Sequence, residues 1–437
     1  MNMEEPPADH TVEAPQPRAG RTGLLLVLAA TAIAGISGYA ITWLVPRVVG
    51  FGDYAGFAVF WSLLFLIASA LSGIQQEITR ATERGVRDAS GAPRSRARTA
   101  VFALGAVVVV VVVVASTSAL WGRAFPEASD ALIWPLLVGA AASVFVAALT
   151  GTLYGVHRWK AIFWIVVVEA AVRLAAIGVA LAFDADIAVL AWAVVLPFPL
   201  AFVTVWLASR RALVGTSLDV GYRQLTWNVA RTIVAAASMG LMVSGFPFVL
   251  ALTAGAESAE TLGLVVIATT LVRAPLIVTA MALQSYLIVF FRERRSAILG
   301  SFLAIEGGVV AVGGLLGVVG WLAGPAVFGL LFPGQPVPDG WFIAALVFSS
   351  ALLAGLCVSA PAVLARSDHA AYTTGWLLAA LVTIVLLMLP IGFLERTTLA
   401  LLLGPVAGLS VHATSIVAAA RNVPGDGSAA PVGLPRI

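Results

Sequence analysis

Twelve apolar segments, each long enough to cross a lipid bilayer, follow one another along this 437-residue chain. A helix needs about 20 consecutive apolar residues to cross the hydrocarbon core of a bilayer, and every segment has at least that length. A chain built in this way must use lipid as most of its solvent, so we predict an all-α integral membrane protein with twelve transmembrane helices. The segments lie at residues 23–45, 54–76, 100–120, 131–154, 161–183, 187–208, 227–252, 261–290, 299–322, 341–364, 372–394 and 397–420.

Composition supports this prediction and excludes several classes of site. The chain is 60% hydrophobic and 11% charged, with a mean hydropathy of +1.01. Soluble domains carry roughly 25% charged residues, so this chain has too few to cover a soluble core. Cys357 is the single cysteine, which rules out an internal disulfide, and the four histidines do not pair at metal-ligand spacing. We therefore predict no metal and no cofactor.

The basic residues alternate between connecting segments and predict the topology. With the N-terminus in the cytoplasm, the outer loops hold only Arg47, Arg123 and Arg396. Cytoplasmic loops carry an excess of Lys and Arg, so we predict a bacterial cytoplasmic membrane with both termini cytoplasmic. These charges lie where a membrane surface attracts them, and they indicate no nucleic-acid partner. The cytoplasmic segments hold Arg80, Arg84, Arg87, Arg94, Arg96, Arg98, Arg158, Lys160, Arg210, Arg211, Arg223, Arg292, Arg294, Arg295, Arg366 and Arg421.

The chain divides into two halves with six segments each. The stretch "GDYAGFAVFWSLLF" (Gly52–Phe65) and the stretch "AETLGLVVIATTLV" (Ala259–Val272) share an acidic residue, two further residues, a glycine, and then an aromatic residue or Leu. Each half begins on the same side, so the repeats are parallel, and such repeats place a substrate path at their interface. We predict a disordered cytoplasmic tail at 1–22, six-helix bundles at 23–208 and 227–420, a cytoplasmic linker at 209–226 and a cytoplasmic tail at 421–437.

No signature of a catalytic site occurs in the sequence. It has no GxxxxGK[ST] loop for ATP, no HExxH metal motif and no GxSxG nucleophile elbow. The only close acidic pair in a predicted outer loop is Asp184 and Asp186, which we interpret as a solvated turn. We therefore predict that the protein is not an enzyme. A membrane enzyme acting on lipid-linked sugars stays as an alternative, and it would depend on these two carboxylates.

Four stretches carry a resemblance to a known superfamily. They are "VPRVVGFGDYAGFAVFWSLL" (Val45–Leu64), "SGIQQEITRATERG" (Ser72–Gly85), "TLYGVHRWKAIFWIVVVEAAVRL" (Thr152–Leu174) and "VLARSDHAAYTTGWLLAAL" (Val363–Leu381). In their order and spacing the chain resembles the multidrug/oligosaccharidyl-lipid/polysaccharide (MOP) exporter superfamily, and more narrowly the Wzx-type polysaccharide flippases.

That resemblance implies both an architecture and a substrate. It implies two six-helix bundles that form a V, with the first, second, seventh and eighth spans around a central cavity. It also implies alternating-access transport of an undecaprenyl-diphosphate-linked oligosaccharide for polysaccharide export. Membrane lipids would be partners, with proton or sodium coupling and polysaccharide-assembly proteins as further candidates. A MATE-like exporter of drugs or metabolites, with the same fold, is the first alternative.

Arginines inside or beside the apolar segments are the main candidate site residues. An arginine at the centre of a membrane helix costs about 2.5–3.5 kcal/mol on insertion scales, so each needs a reason. Arg273, Arg80 and Arg231 are candidates for binding the diphosphate, because a guanidinium matches phosphate oxygens with two donors. For Arg273 the alternative is structural: Pro275 frees a backbone carbonyl near Leu271, which would accept from the guanidinium.

Other polar residues in the segments are predicted to line the cavity, to couple transport to an ion, or to stabilise the fold. Glu169 and Arg173 are four residues apart on one helix, so we predict a structural ion pair. For Glu306 a hydrogen bond to a neighbouring helix is favoured over titration during coupling. Asp53 is predicted to cap the second span. The candidates for cavity lining or coupling are Glu77, Gln75, Gln76, Glu306, Gln284 and Asn228.

Overall fold

The computed structural model describes residues 19–84, 97–118, 121–125, 129–214, 216–294 and 297–421. Helices dominate these ranges, joined by two three-residue strands. The helices are α1 (Ala19–Ala81), α2 (Thr99–Ser116), α3 (Trp121–Ala124), α4 (Ser129–Gly155), α5 (Trp159–Ala182), α6 (Ile187–Val195), α7 (Pro197–Leu213), α8 (Tyr222–Gly240), α9 (Phe246–Thr253), α10 (Ala259–Glu293), α11 (Ile298–Leu331), α12 (Gly340–Leu364), α13 (His369–Leu387) and α14 (Phe393–Arg421). The strands are β1 (Thr82–Arg84) and β2 (Thr216–Leu218), and a π-helical turn, Leu241–Gly245, joins α8 to α9.

Helix α1 contains the first two predicted spans. Its backbone breaks at Gly50, where φ is 79° and ψ is 170°. Only glycine adopts such a conformation without strain, so the chain reverses direction there. Eleven helices in the described ranges are long and apolar enough to cross a membrane, and the first, Leu25–Ala81, has 57 residues, enough to cross twice. The predicted all-α membrane fold is therefore confirmed.

The region after the break at Gly50 differs from the sequence prediction in one detail. Asp53 lies within the first turn after the break and is exposed. It is therefore not the N-cap residue of the part of α1 that follows Gly50. A carboxylate in the first turn still lies close to the positive end of the helix dipole.

A short antiparallel sheet, which the sequence analysis did not predict, accompanies the helices. Strand β1 pairs with β2, with Thr82 opposite Leu218 and Arg84 opposite Thr216. The linker predicted at 209–226 therefore contains the end of α7, strand β2 and the start of α8. Leu218 is fully buried against apolar residues at the end of α1 and the start of α2. The linker is thus fixed to the first half of the chain by strand pairing and by packing.

The predicted terminal tails lie largely outside the described residues. Residues 1–18 and 422–437 belong to neither a described helix nor a described strand. Helix α1 begins at Ala19, so residues 19–22 of the predicted N-terminal tail are helical. Helix α14 ends at Arg421, at the boundary predicted from the sequence.

The two halves pack closely at one membrane face. We call the side of Ala81, Tyr222 and Arg421 the terminal face, and the side of Gly50 and Leu331 the far face. At the far face the ring of Phe51 packs edge-on against Phe332, with centroids 5.6 Å apart. A Cβ added at Gly263 would overlap the carbonyl oxygen of Phe51. Helix α1 therefore closes against α10 and α11 at the far face.

Helix α2 has little protein around it. Of its 18 residues only Ala103 and Val114 are buried. Six of its large apolar side chains, including Val108 and Val109, are more than half exposed. A uniformly apolar and exposed helix faces lipid, so the valine run of this span does not line a path between the halves.

Candidate functional site

A cavity of about 220 Å³ lies between the two halves. The parts of α1 before and after Gly50 form one wall. The α8–α9 junction and α10 form the others. These helices are the first, second, seventh and eighth spans, as the resemblance implied. We call this space the inner cavity. The residues used below are Tyr54, Phe57, Trp61, Ser62, Thr269 and Arg273.

Arg273 lies on the α10 wall of the inner cavity and is 4% exposed. Its Nη2 donates to the backbone carbonyl of Met242 at 2.9 Å, and its guanidinium lies 5.5 Å from the ring centre of Phe246. Met242 belongs to the π-helical turn, in which carbonyls pair with the N–H five residues later. That residue is Pro247, which has no N–H. The carbonyl is therefore available to the arginine.

This partner corrects the alternative predicted for Arg273. Pro275 was expected to free a carbonyl near Leu271 for the guanidinium. The Leu271 carbonyl instead accepts from the hydroxyl of Tyr39, at 2.9 Å. Arg273 donates to a carbonyl of the seventh span and not to a carbonyl of its own helix. It therefore links two helices of the cavity wall.

Two buried donors on α10 have no hydrogen-bond partner in the described part of the chain. They are Nε of Arg273 and Oγ1 of Thr269. The two residues are four apart, so they lie one above the other on one helix face, and both line the inner cavity. A buried donor without a partner costs about 1–3 kcal/mol, so this face of α10 is ready to bind an acceptor.

Ser62 joins the two halves beside the inner cavity. Its hydroxyl donates to the carbonyl of Ser244 at 2.7 Å and accepts from the N–H of Phe248 at 3.1 Å. In an uninterrupted α-helix those two backbone groups would bond to each other. The side chain of α1 is thus inserted into the helix break of the seventh span, which explains how the irregular backbone there is satisfied.

A second cavity, of about 840 Å³, opens toward the terminal face. We call it the terminal-face cavity. It brings together five residues predicted from the sequence and adds polar residues from the start of α13. The polar residues that line it are Gln76, Glu77, Arg80, Asn228, Arg231, Thr232, His369, Tyr372, Thr373 and Thr374.

Positive charge exceeds negative charge in the lining of the terminal-face cavity. Among its described lining residues Glu77 is the only acidic one, against Arg80 and Arg231. One Glu77 oxygen accepts from Nε of Arg80 at 3.0 Å, and the other accepts from the hydroxyl of Thr232 at 3.0 Å. The carboxylate therefore neutralises one arginine and leaves the surplus charge of Arg231, which is exposed. Such a lining favours an anion.

The start of α13 is held in place by Asp368. One oxygen of Asp368 accepts from the N–H of Ala371 at 3.0 Å, and the other accepts from the hydroxyl of Ser415 at 2.6 Å. The hydrogen bond from Ser415, followed by that from Ala371, lowers the pKa of Asp368 below its ordinary value. The ionised carboxylate thus caps α13, the helix whose first turns contribute His369 and Thr373 to the cavity lining.

Three predicted site residues line neither cavity. Gln75 and Gln284 are half-buried on α1 and α10. Glu306 is buried on α11, and its carboxyl group packs against Gly355 of α12. Neither of its carboxyl oxygens has a hydrogen-bond partner in the described ranges. The prediction that Glu306 hydrogen-bonds to a neighbouring helix is therefore wrong.

Glu169 and Arg173 form an ion pair on α5. Arg173 is 8% exposed and its guanidinium lies within 5.7 Å of three ring centres, those of Trp61, Phe65 and Phe198. The arginine is neutralised by its own helix and covered by aromatic rings. These contacts agree with a structural pair.

The acidic pair of the enzyme alternative has a structural role. Asp186 accepts from the N–H of Val189 at 2.9 Å and so caps α6. Asp184 lies in the turn before it with a φ of 48°. Asp184 thus lies in an exposed turn, as the sequence predicted, and Asp186 in addition caps a helix.

Several site residues escaped the sequence reasoning. Tyr54, Thr269 and His369 were not singled out. A signal existed for Thr269, since "TTLVR" places it four residues before Arg273. Tyr54 and the other aromatic residues of α1 carry no such signal, because a ring facing a cavity and a ring facing lipid look alike in sequence.

Comparison with known proteins gives close relatives and a fold. No protein-family model matches the chain. It is 33% identical over 405 residues to the uncharacterized protein Rv3630 of Mycobacterium tuberculosis, covering 90% of this chain and 91% of the relative. It is 32% identical over 413 residues to the uncharacterized protein Rv1510 of the same organism, covering 92% and 93%.

Solved structures with a similar fold are MATE transporters of the MOP superfamily. An inward-facing multidrug resistance MATE transporter is similar with a TM-score of 0.67 and 14% identity, over 92% of this chain and 100% of that one. An outward-facing one gives a TM-score of 0.58 with 15% identity, over 92% and 97%.

Proposed function

The chain belongs to one protein family with Rv3630 and Rv1510 of Mycobacterium tuberculosis, and we propose that it is an alternating-access exporter of a phosphate-linked lipid glycan. Its substrate would be an undecaprenyl-diphosphate-linked oligosaccharide, flipped across a bacterial cytoplasmic membrane for polysaccharide export. The MOP fold supports a transporter but is shared with drug exporters, so the substrate class rests on the cavities.

One observation carries the choice of substrate. Arg273 is the only charged residue among the described residues that line the inner cavity. Its Nε and the hydroxyl of Thr269 are buried donors that have no acceptor within the described ranges. An unpaired cation beside unused donors attracts an anion, and a planar guanidinium fits phosphate oxygens better than an ammonium does. A cationic drug would meet repulsion at the same place.

The two cavities outline a route. The head group enters the terminal-face cavity, where Arg80 and Arg231 attract the phosphate. It then reaches Arg273 in the inner cavity. Met239 lines the terminal-face cavity, and Val243, one helical turn later, lines the inner cavity. Opening of the far face, now closed around Phe51, would release the head group on the other side.

The first prediction concerns Arg273. Changing Arg273→Ala should abolish flipping, while Arg273→Lys should keep part of it because the charge remains without the planar fork. The measurement uses purified protein in proteoliposomes with a fluorescent undecaprenyl-diphosphate N-acetylglucosamine. Quenching by a membrane-impermeant reductant reports the fraction of head groups on each side. Equal insertion of both variants, checked by gel filtration, is the control. Wild-type flipping by the alanine variant would refute the proposed role.

The second prediction concerns orientation. Both termini and the terminal face should lie in the cytoplasm, because the arginines concentrate there. A cysteine at Asp219, which is exposed at the terminal face, should resist an impermeant thiol reagent in intact cells. A cysteine at Glu257, exposed at the far face, should react. Both are made in a Cys357→Ala background, and the opposite labelling pattern would invert the orientation.

The drug-exporter alternative is tested in the same preparation. A cationic dye would replace the lipid, and its transport would depend on carboxylates. Glu77 is the nearest candidate, but it is already bonded to Arg80 and Thr232. Transport of the dye with no flipping of the lipid would favour this alternative.

A further inference from the structure

One wall of the inner cavity is an aromatic stripe on α1. Tyr54, Phe57 and Trp61 follow at spacings of three and four residues, so they share one helix face. All three line the cavity. Their ring centres are 6.3 Å apart for the first pair and 5.8 Å for the second. The rings therefore form a continuous apolar surface about two turns long.

The facing wall, on α10, has the opposite chemistry. Thr269 and Arg273 line the same space, and each carries a buried donor that has no partner among the described residues. A ligand that fills this cavity must therefore have an anionic group at one side and a surface compatible with aromatic rings at the other. The face of an aromatic ring carries partial negative charge, so it attracts the polarised C–H groups of a ligand.

The size of the inner cavity limits the ligand further. Its volume is about 220 Å³, below the lower limit of about 300 Å³ for pockets that hold drug-sized ligands. It has room for one ring beside a phosphate and not for several. A pyranose ring has polarised C–H groups on its faces. In a sugar phosphate a single oxygen atom joins this ring to the phosphorus.

We infer that the inner cavity holds the single sugar ring next to the phosphate, stacked on the aromatic stripe Tyr54, Phe57 and Trp61. This inference rests on the proposed function and names its sugar-binding subsite. Arg273 and Thr269 bind the phosphate, and the stripe recognises the first ring. Any further sugars remain in the terminal-face cavity, whose amide and hydroxyl side chains suit a glycan.

The experiment compares two ligands of equal charge and equal chain length, methyl decyl phosphate and glucosyl decyl phosphate. Calorimetry in detergent measures their dissociation constants. The wild-type protein should bind the glucosyl diester about tenfold more tightly, as expected for one stacked ring. Phe57→Leu keeps the wall apolar but removes a ring, and should reduce this ratio to about twofold without weakening the methyl diester. Phe183→Leu, the same exchange at a side chain 80% exposed, is the matched control.

The outcomes separate the subsite from the proposed function. Equal binding of both diesters by the wild-type protein would overturn the subsite and leave the phosphate site in place. Binding of neither diester would overturn both. Arg273→Gln should lose both ligands alike, so the ratio reports only the aromatic stripe. Because the wild-type ratio is itself decisive, the test stands even if Phe57→Leu lowers the yield of folded protein.

Discussion

Arg173 and Arg273 are both buried inside membrane-spanning helices, yet their surroundings differ. Arg173 has a carboxylate on its own helix, Glu169, and three aromatic rings within 5.7 Å. Arg273 has one backbone carbonyl, from Met242, and one ring, from Phe246. Arg173 is not among the described residues that line the inner cavity, whereas Arg273 is.

The difference teaches how to distinguish a structural charge from a functional one in lipid. Nε has no hydrogen-bond partner in the described residues in either arginine, so the difference lies in the counter-ion: Arg173 has the Glu169 carboxylate on its own helix, which fits a structural role. A charge that lies at a cavity without a counter-ion pays a desolvation free energy, which is offset only when an oppositely charged ligand binds. Burial alone does not separate the two, since the exposed fractions are 8% and 4%.

The largest effect on stability should follow from breaking the Arg173 pair. Arg173→Ala leaves the Glu169 carboxylate without its partner in a mostly buried position. Removal of one partner of a buried pair costs about 3–5 kcal/mol, and partial exposure of Glu169 reduces this to about 2–3 kcal/mol. The measurement is the midpoint of heat unfolding in detergent. An unchanged midpoint would contradict a structural pair.

The charge-swapped variant sharpens the same point. Glu169→Arg combined with Arg173→Glu keeps both charges four residues apart. It should recover much of the stability and of the flipping activity that either single reversal loses. A double variant as inactive as each single one would indicate that the two residues act separately in transport.

A smaller effect on stability is expected at Arg273. Arg273→Met removes a hydrogen bond to one carbonyl but leaves no carboxylate unpaired. The Met242 carbonyl loses its donor, which costs about 1–3 kcal/mol, but the buried charge is removed at the same time, so the free energy of unfolding should fall by less than in Arg173→Ala, although flipping is lost. Heat unfolding of Arg273→Met beside Arg173→Ala is the direct comparison. A larger loss at Arg273 would reverse the roles assigned to the two arginines.

The sequence predicts the fold well because lipid imposes simple rules. Apolar length and the alternation of arginines are sufficient for the membrane fold, and α12 begins within one residue of the predicted start. The rules fail where backbone geometry decides. The break at Gly50 keeps two spans in one continuous helical element, and the pairing of β1 with β2 depends on contacts between distant segments.

The site is only partly predictable for a related reason. The helix period separates polar from apolar faces, but in a membrane both the lipid-facing and the cavity-facing sides are apolar. Charged residues such as Arg273 are therefore visible in the sequence, while Tyr54 and Phe57 are not. The hydrogen-bond partner of Arg273 could not be predicted from the sequence either, because the carbonyl of Met242 is available only through the π-helical turn before Pro247.

The pairing of β1 with β2 has a consequence for biogenesis. The chain is synthesised from its N-terminus, and four membrane crossings separate the two strands. Strand β1 therefore waits, unpaired, while those crossings insert. The first half is completed only when the linker emerges and Leu218 reaches its buried position. The linker that contains β2 is thus the last part of the first half to fold. The second half is then inserted beside a first half that is already complete.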